Sequence, residues 1–207
     1  MATAANLLML RRLVLGVAVL LALCAATARP AEAGLLPTCD VPVSQPFERW
    51  GDGARYALVP GGSFEPGSAP WTLSGGAKVV DGNESFYVRS GGDKRSLLLP
   101  SGSSATTPGT CFVLGDWHLR FFVLNSGSSS AKLRVTVVVR SLLGILSVLD
   151  GGTVSANGQW QPSPRIGLLL SNLTSPLFGT IAFRFTPVGS GAAFQIDDVY
   201  LDPWKSS

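Results

Sequence analysis

From residue 110 onward the chain alternates apolar and polar positions with a period of two. Leu133, Val135, Val137 and Val139 fall on one face and Arg134, Thr136 and Arg140 on the other, with Val138 as the exception. That pattern predicts a half-buried strand. Ile181, Phe183 and Phe185 alternate with Ala182, Arg184 and Thr186 in the same way. Leu119, Phe121 and Val123 alternate with Arg120, Phe122 and Leu124, which predicts a strand buried more fully on both sides. Shorter strands are expected at Tyr56 to Val59, Lys78 to Val80, Phe86 to Val88, Ser96 to Leu99, Leu142 to Leu149, Ile166 to Leu170 and Ala193 to Leu201.

Turn signals punctuate these runs: Pro60-Gly61-Gly62, Gly75-Gly76, Asp81-Gly82-Asn83, Gly91-Gly92-Asp93, Asp150-Gly151-Gly152, Asn157-Gly158 and Gly189-Ser190-Gly191. Residues 101–109 read as a polar loop, and 125–130 as a turn between two long strands. No helical periodicity competes. About ten short strands with such spacing predict one all-β domain, a two-sheet sandwich of jelly-roll kind.

Composition agrees. With 24 Gly, 14 Pro and 14% charged residues, the chain is turn-rich and excludes a coiled coil or a disordered acidic polymer. Arg11 and Arg12 precede an apolar run from Leu13 to Ala26, and Ala31-Glu32-Ala33 offers a small-x-small cleavage site. These features predict a secretory signal peptide over 1–33, an N-terminal extension over 34–54 and the sandwich over 55–207. The run is too short for a lasting membrane span. Cleavage removes three arginines and one glutamate and leaves a nearly neutral, exported chain. Such a balance argues against nucleic acid, which demands a clustered basic face.

Cys24 leaves with the leader, so Cys39 and Cys111 remain. In an oxidising compartment they are expected to pair. A closed loop of roughly 70 residues stabilises by about 4 kcal/mol on the chain-entropy account. Two cysteines and the lone His118 do not make a zinc site.

Two passages carry a family pattern: Leu58 to Gly67 followed by Trp71-Thr72-Leu73, and Phe194-Gln195-Ile196-Asp197-Asp198-Val199-Tyr200-Leu201. Together they resemble the opening and closing strands of jelly-roll carbohydrate-binding modules in the galactose-binding-like superfamily. The chain also resembles small secreted actinobacterial proteins that hold this domain alone, on Pro42 to Phe47 and Trp50-Gly51-Asp52. The resemblance implies that first and last strands meet and that a structural calcium sits there, held by Glu65 and Asp198 with Asp197 in reserve. Because strand neighbours point to opposite faces, Asp197 and Asp198 are not expected to face one site together. The null alternative is that Glu65 caps a turn and the aspartates are solvated or bonded to a loop.

A sugar-binding module stacks exposed aromatic rings on pyranose faces. The resemblance assigns Trp71 and Trp160 to closing the sandwich, and Trp204 is expected to cover its mouth or the first strand. Trp50 and Tyr200 stay open as platforms. Trp117 with His118, and Tyr87 with Arg89 after a Gly-Asn turn, are the candidate ligand residues. Arg120, Arg134, Arg140 and Arg184 form either a ligand-facing strip or ordinary solvated positions. No nucleophile motif, triad or nucleotide loop is present, and although Asp116, Asp150 and Glu84 offer carboxylates, any such chain does. The expected function is a secreted, non-catalytic module binding a polysaccharide or cell-envelope glycan. The competing expectation is a structural or interaction protein with no sugar site.

Overall fold

The computed structural model describes residues 41–67, 69–111, 116–140, 144, 146–169 and 180–202. The leader, Cys39 and Trp204 lie outside these residues, and with them the signal peptide and the cysteine pairing. All described residues belong to one compact unit spanning Cys39–Ser207. Among them no helix is long and apolar enough to cross a membrane.

Two antiparallel sheets make up the unit. The first is built around its final strand. β14 (Ala193–Asp202) pairs along one edge with β8 (Asp116–Asn125). Along its other edge two strands lie end to end: β5 (Arg95–Pro100) against its first half and β2 (Tyr56–Leu58) against its second. Outside these sit β4 (Lys78–Asp81) on β5 and β1 (Val43–Ser44) on β2. β11 (Gln161–Pro162) and β12 (Ile166–Leu169) extend the β8 side. The second sheet runs β10 (Leu146–Val154), β9 (Lys132–Arg140), β13 (Thr180–Val188), then β6 (Ser104–Thr106) and β3 (Thr72–Ser74), with β7 (Thr110–Cys111) also on β13.

The alternation dictates the packing. Leu133, Val135, Val137, Ile181, Phe183 and Phe185 point inward from the second sheet onto Leu97, Leu99, Phe121, Phe194 and Ile196 of the first. Each such side chain contributes about 1.5–3 kcal/mol by leaving water. A second apolar cluster covers the outer side of the first sheet, because β8 presents Phe121 inward and Phe122 outward. Phe47, Tyr56, Phe122 and Tyr200 are fully or nearly buried there, with Trp50, Phe86 and Trp160 against them. Phe47 stacks on Phe122 at 5.3 Å and meets Tyr56 edge-on at 5.1 Å. The outer side of the second sheet has no such cover among the described residues.

Several expectations change. Phe86 to Val88 is a turn; its apolar residues lodge in the second cluster instead of alternating across a pleat. Asp150-Gly151-Gly152 is no turn: the strand runs through it, absorbing a register shift between Asp150 and Gly152. The expected polar loop contains β6, whose short polar sequence has no periodicity to reveal it.

Candidate functional site

Where the last strand passes β2 and β8, the ladder breaks. The pairing of β14 with β8 shifts between Asp197 and Tyr200, and Asp198 takes a left-handed backbone with φ 45°. Aspartate tolerates this region better than most residues. The segment after β2 fills the gap: Val59 N donates to Val199 O at 2.9 Å and Val199 N to Gly62 O at 3.0 Å. Only glycine fits at 62, since a Cβ there would stand 2.7 Å from the Val199 carbonyl oxygen.

The irregularity defeats the expected opposition of Asp197 and Asp198. Both are buried, and both face a set of acids drawn from two turns. Asp197 accepts hydrogen bonds from Glu84 N at 3.0 Å and Asp198 N at 2.8 Å. Glu84, itself buried, accepts from the amides of Val88, at 2.7 Å, and Phe86. Asp93 pairs with Arg89, whose Nε also lies 3.9 Å from Asp198 Oδ1. Glu65 accepts from Lys94 N at 2.6 Å and Arg95 N at 2.8 Å, so it clamps a distant loop and does not cap its own turn.

What this cage lacks is donors. Both oxygens of Asp198, Oδ2 of Asp93 and Oδ1 of Asn83 are buried with no hydrogen-bond partner. Native proteins satisfy nearly all such atoms. Desolvation, then the charges of Glu84 and Asp93, push the Asp198 carboxyl up to about 7. Asp197 is raised as well, by desolvation and then by the Asp198 charge.

A second buried carboxylate is treated in the opposite way. Asp52 accepts from Tyr56 Oη at 2.7 Å, Ala54 N at 3.2 Å, Arg120 Nη1 at 2.6 Å and Arg165. Arg120 also donates to Ser163 O at 3.0 and 2.8 Å and lies 4.2 Å over the Phe47 ring. Desolvation raises the Asp52 carboxyl, but the bonds from Arg165, Tyr56 and Arg120 outweigh it and hold the group well below the usual range. Arg120 therefore leaves the proposed arginine strip: it is buried inside a latch that ties residues 47–56 to β8.

The other three arginines do share a surface. Outward positions on the second sheet line up in rows across its strands. One row reads Asp150, Thr136, Arg184, Thr106, Thr72. On the next, Arg134 stands between Thr153 and Thr186. Nearer the other end of the strands, Leu146, Arg140 and Thr180 form a third. No aromatic side chain points outward from this sheet among the described residues.

The four candidate ligand residues are not gathered. Tyr87 is exposed and Arg89 is committed to the acid cage. His118 is half-buried on β8, opposite Gly167 and Asp202. Trp117 precedes it opposite Leu168, and its side chain lies outside the described residues. Of the aromatic candidates, Tyr200 is buried and Trp50 packs on Phe86 and Phe122. Trp71 stacks on Phe185 at 5.6 Å and donates to Pro60 O at 3.1 Å, a core role as the resemblance implied. Glu84, Asp93 and Asn83 were not singled out for the cage. Their one sequence signal is position: Asn83 and Asp93 each follow a turn glycine, and Glu84 comes one residue later.

No protein-family profile matches the chain, and no curated protein does. Among solved structures, the CBM22-1 xylan-binding domain from Paenibacillus barcinonensis is 18% identical, covering 68% of this chain and 90% of that one, with a TM-score of 0.47. TmCBM61 in complex with β-1,4-galactotriose is 21% identical over 70% and 96% of the two chains, with a TM-score of 0.48. The arabinose-bound MgGH51 α-L-arabinofuranosidase is 16% identical over 72% of this chain and 27% of its own, also with a TM-score of 0.48. Each is a likeness of architecture. The sandwich itself is read from the strand ladders described above.

Proposed function

We propose that the chain is a secreted, non-catalytic β-sandwich module that binds a polysaccharide on the outer face of its second sheet, with one calcium ion in the acid cage. The observation that carries the binding reading is the contrast between the sheets. The first has its outer side sealed by an aromatic cluster, whereas among the described residues nothing covers the threonine and arginine side chains on the outer face of the second. Rigid rows of hydroxyl and guanidinium donors suit the hydroxyl-rich edge of a sugar polymer, which needs many oriented polar partners.

Calcium fits the chemistry of the cage. It takes oxygen ligands only, and Asp198, Asp93 and Asn83 present four buried oxygens without donors. Those three residues would hold it, while Asp197 and Glu84 brace the two turns. A bound ion supplies the positive charge that the buried carboxylates lack. Among the described residues no three acidic, His or Cys side chains already stand at metal-holding spacing. Arg89, whose Nε lies 3.9 Å from Asp198 Oδ1, would compete with the ion for that carboxylate.

Affinity electrophoresis of the full chain through gels containing soluble polysaccharides tests the binding reading. Retardation by at least one polymer, lost in Thr136→Ala/Arg184→Ala, is the expected result; free migration in every gel overturns it. The second reading, an interaction protein, draws on β10, where Leu146 and Val148 are 53% and 59% exposed beside one another on one face of the strand. Self-association lost in Val148→Lys would favour it.

A further inference from the structure

We infer that the polymer taken by this face is acidic, a polysaccharide with carboxylates on its sugars. The inference rests on the reading above and names the class of its ligand.

Net charge conceals the argument. The chain as a whole carries a formal +3, but its acids are inside and its bases outside. Asp52, Glu84, Asp93, Asp197, Asp198 and Asp202 are all buried. The exposed acids among the described residues are Glu48, Asp81 and Asp150, whereas nearly every described lysine and arginine other than Arg120 is exposed. The near-neutrality read from the sequence thus describes the molecule and not its surface, which is basic.

The second sheet concentrates that surface. Lys132, Arg134, Arg140 and Arg184 are all exposed on its outer face, and none of them makes an ion pair among the described residues. Arg184 Nε rests on Thr106 Oγ1 at 3.2 Å and Lys132 Nζ on Ser155 Oγ at 2.6 Å, both neutral acceptors. Asp150, the one acid on these rows, is turned to its own bulge, accepting from Gly152 N at 3.1 Å. Four cations therefore share a face with almost no compensating charge.

Spacing and company narrow the class. Arg134 faces Thr186, so Arg184 is its diagonal neighbour at about 7–8 Å between Cα atoms. Arg140 lies roughly 20 Å further along β9 at the usual rise per residue. Lys132 and Arg134 are successive outward positions on β9, and Thr136 and Val138 separate them from Arg140, so the cations recur along the strand and match a polymer that carries repeated charges. The planar guanidinium fork accepts a carboxylate through two parallel bonds. With no outward aromatic among the described residues, the face offers there no platform for a neutral pyranose or for the unstacked bases of single-stranded nucleic acids.

The test uses the full chain with polygalacturonate, its fully methyl-esterified form, neutral xylan and single-stranded DNA. Tighter binding to polygalacturonate than to the other three, weakening with salt, is expected. Arg134→Ala and Arg184→Ala should each reduce that affinity about fivefold, and the double variant should lose more than either alone. Lys78→Ala removes an equal charge from the other sheet and should leave it unchanged. Equal binding to the esterified or neutral polymer overturns the acidic class while sparing the polysaccharide reading. DNA binding of the same strength, or an equal loss in Lys78→Ala, overturns it in favour of unselective attraction. Binding to none of the four overturns both.

Discussion

Asp52 and Asp198 are both carboxylates buried in the same unit, and their surroundings differ in one respect: the first has its partners built in. Two guanidinium groups, a phenol and a backbone amide converge on Asp52. Asp198 has two orphaned oxygens, three acids for neighbours, and one arginine at 3.9 Å that is shared with Asp93. The chain completes one site from its own side chains and leaves the other short of positive charge, which the proposed ion would supply. The difference separates the two carboxylates, although burial alone would group them together.

The comparison breaks most visibly at the latch. Asp52→Ala leaves Arg120 buried without its anion, and removing one partner of a buried pair costs about 3–5 kcal/mol. Urea unfolding should show that loss; a change below about 1 kcal/mol would mean that Arg120 and Arg165 find equivalent partners. Next comes the ion. At a hundredfold excess over its dissociation constant, calcium adds about 2.7 kcal/mol, a rise in Tm of about 5–10 °C for a unit of this size. Asp198→Asn should abolish the rise, and an identical melting curve after chelation would remove calcium from the cage.

Protonation then distinguishes the two carboxylates by sign. Asp198 is raised in the folded state, so the unfolded chain loses this proton first. In chelated protein, stability should fall as pH rises from the ordinary carboxyl value of roughly 4 towards about 7. Asp52 is depressed, so its contribution is complete above pH 4 and is lost only in stronger acid. Acidifying chelated protein from pH 7 to 5 should therefore raise its Tm by an amount worth about 2 kcal/mol or more, and Asp198→Asn should make the slope shallower while leaving the part that Asp197, also raised by burial, contributes. A fall in Tm over that range would contradict the assignment. The smallest effect is expected at Arg89, which is partly exposed. Arg89→Gln should change stability by less than about 1 kcal/mol yet tighten calcium binding severalfold, since the competing cation is gone; weaker calcium binding would show the guanidinium supporting the cage.

Long strands were legible because periodicity accumulates: nine residues of β9 and nine of β13 alternate almost without error. Three-residue strands such as Thr72–Ser74 and Ser104–Thr106 offer no period, and tertiary pairing alone defines them. The meeting of Leu58-Val59 with the closing Asp-Asp-Val was legible by resemblance, but the bulge that brings both aspartates to one cluster of acids was not, because alternation is the rule it violates. Glu84 and Asp93 were hidden for a related reason: more than a hundred residues separate them from the aspartates, and only the fold brings them together. Charge misled more simply, since a sum over the sequence does not know which residues face water.

One consequence concerns the order in which this molecule is made. β14, the last strand described, is the middle of its sheet, touching β2, β5 and β8 at once. Every shorter nascent chain has two half-sheets with nothing between them, so the larger layer closes only after synthesis has passed residue 202. Until then the centre of the larger layer is missing, and the strands on its two sides have no partner to join them.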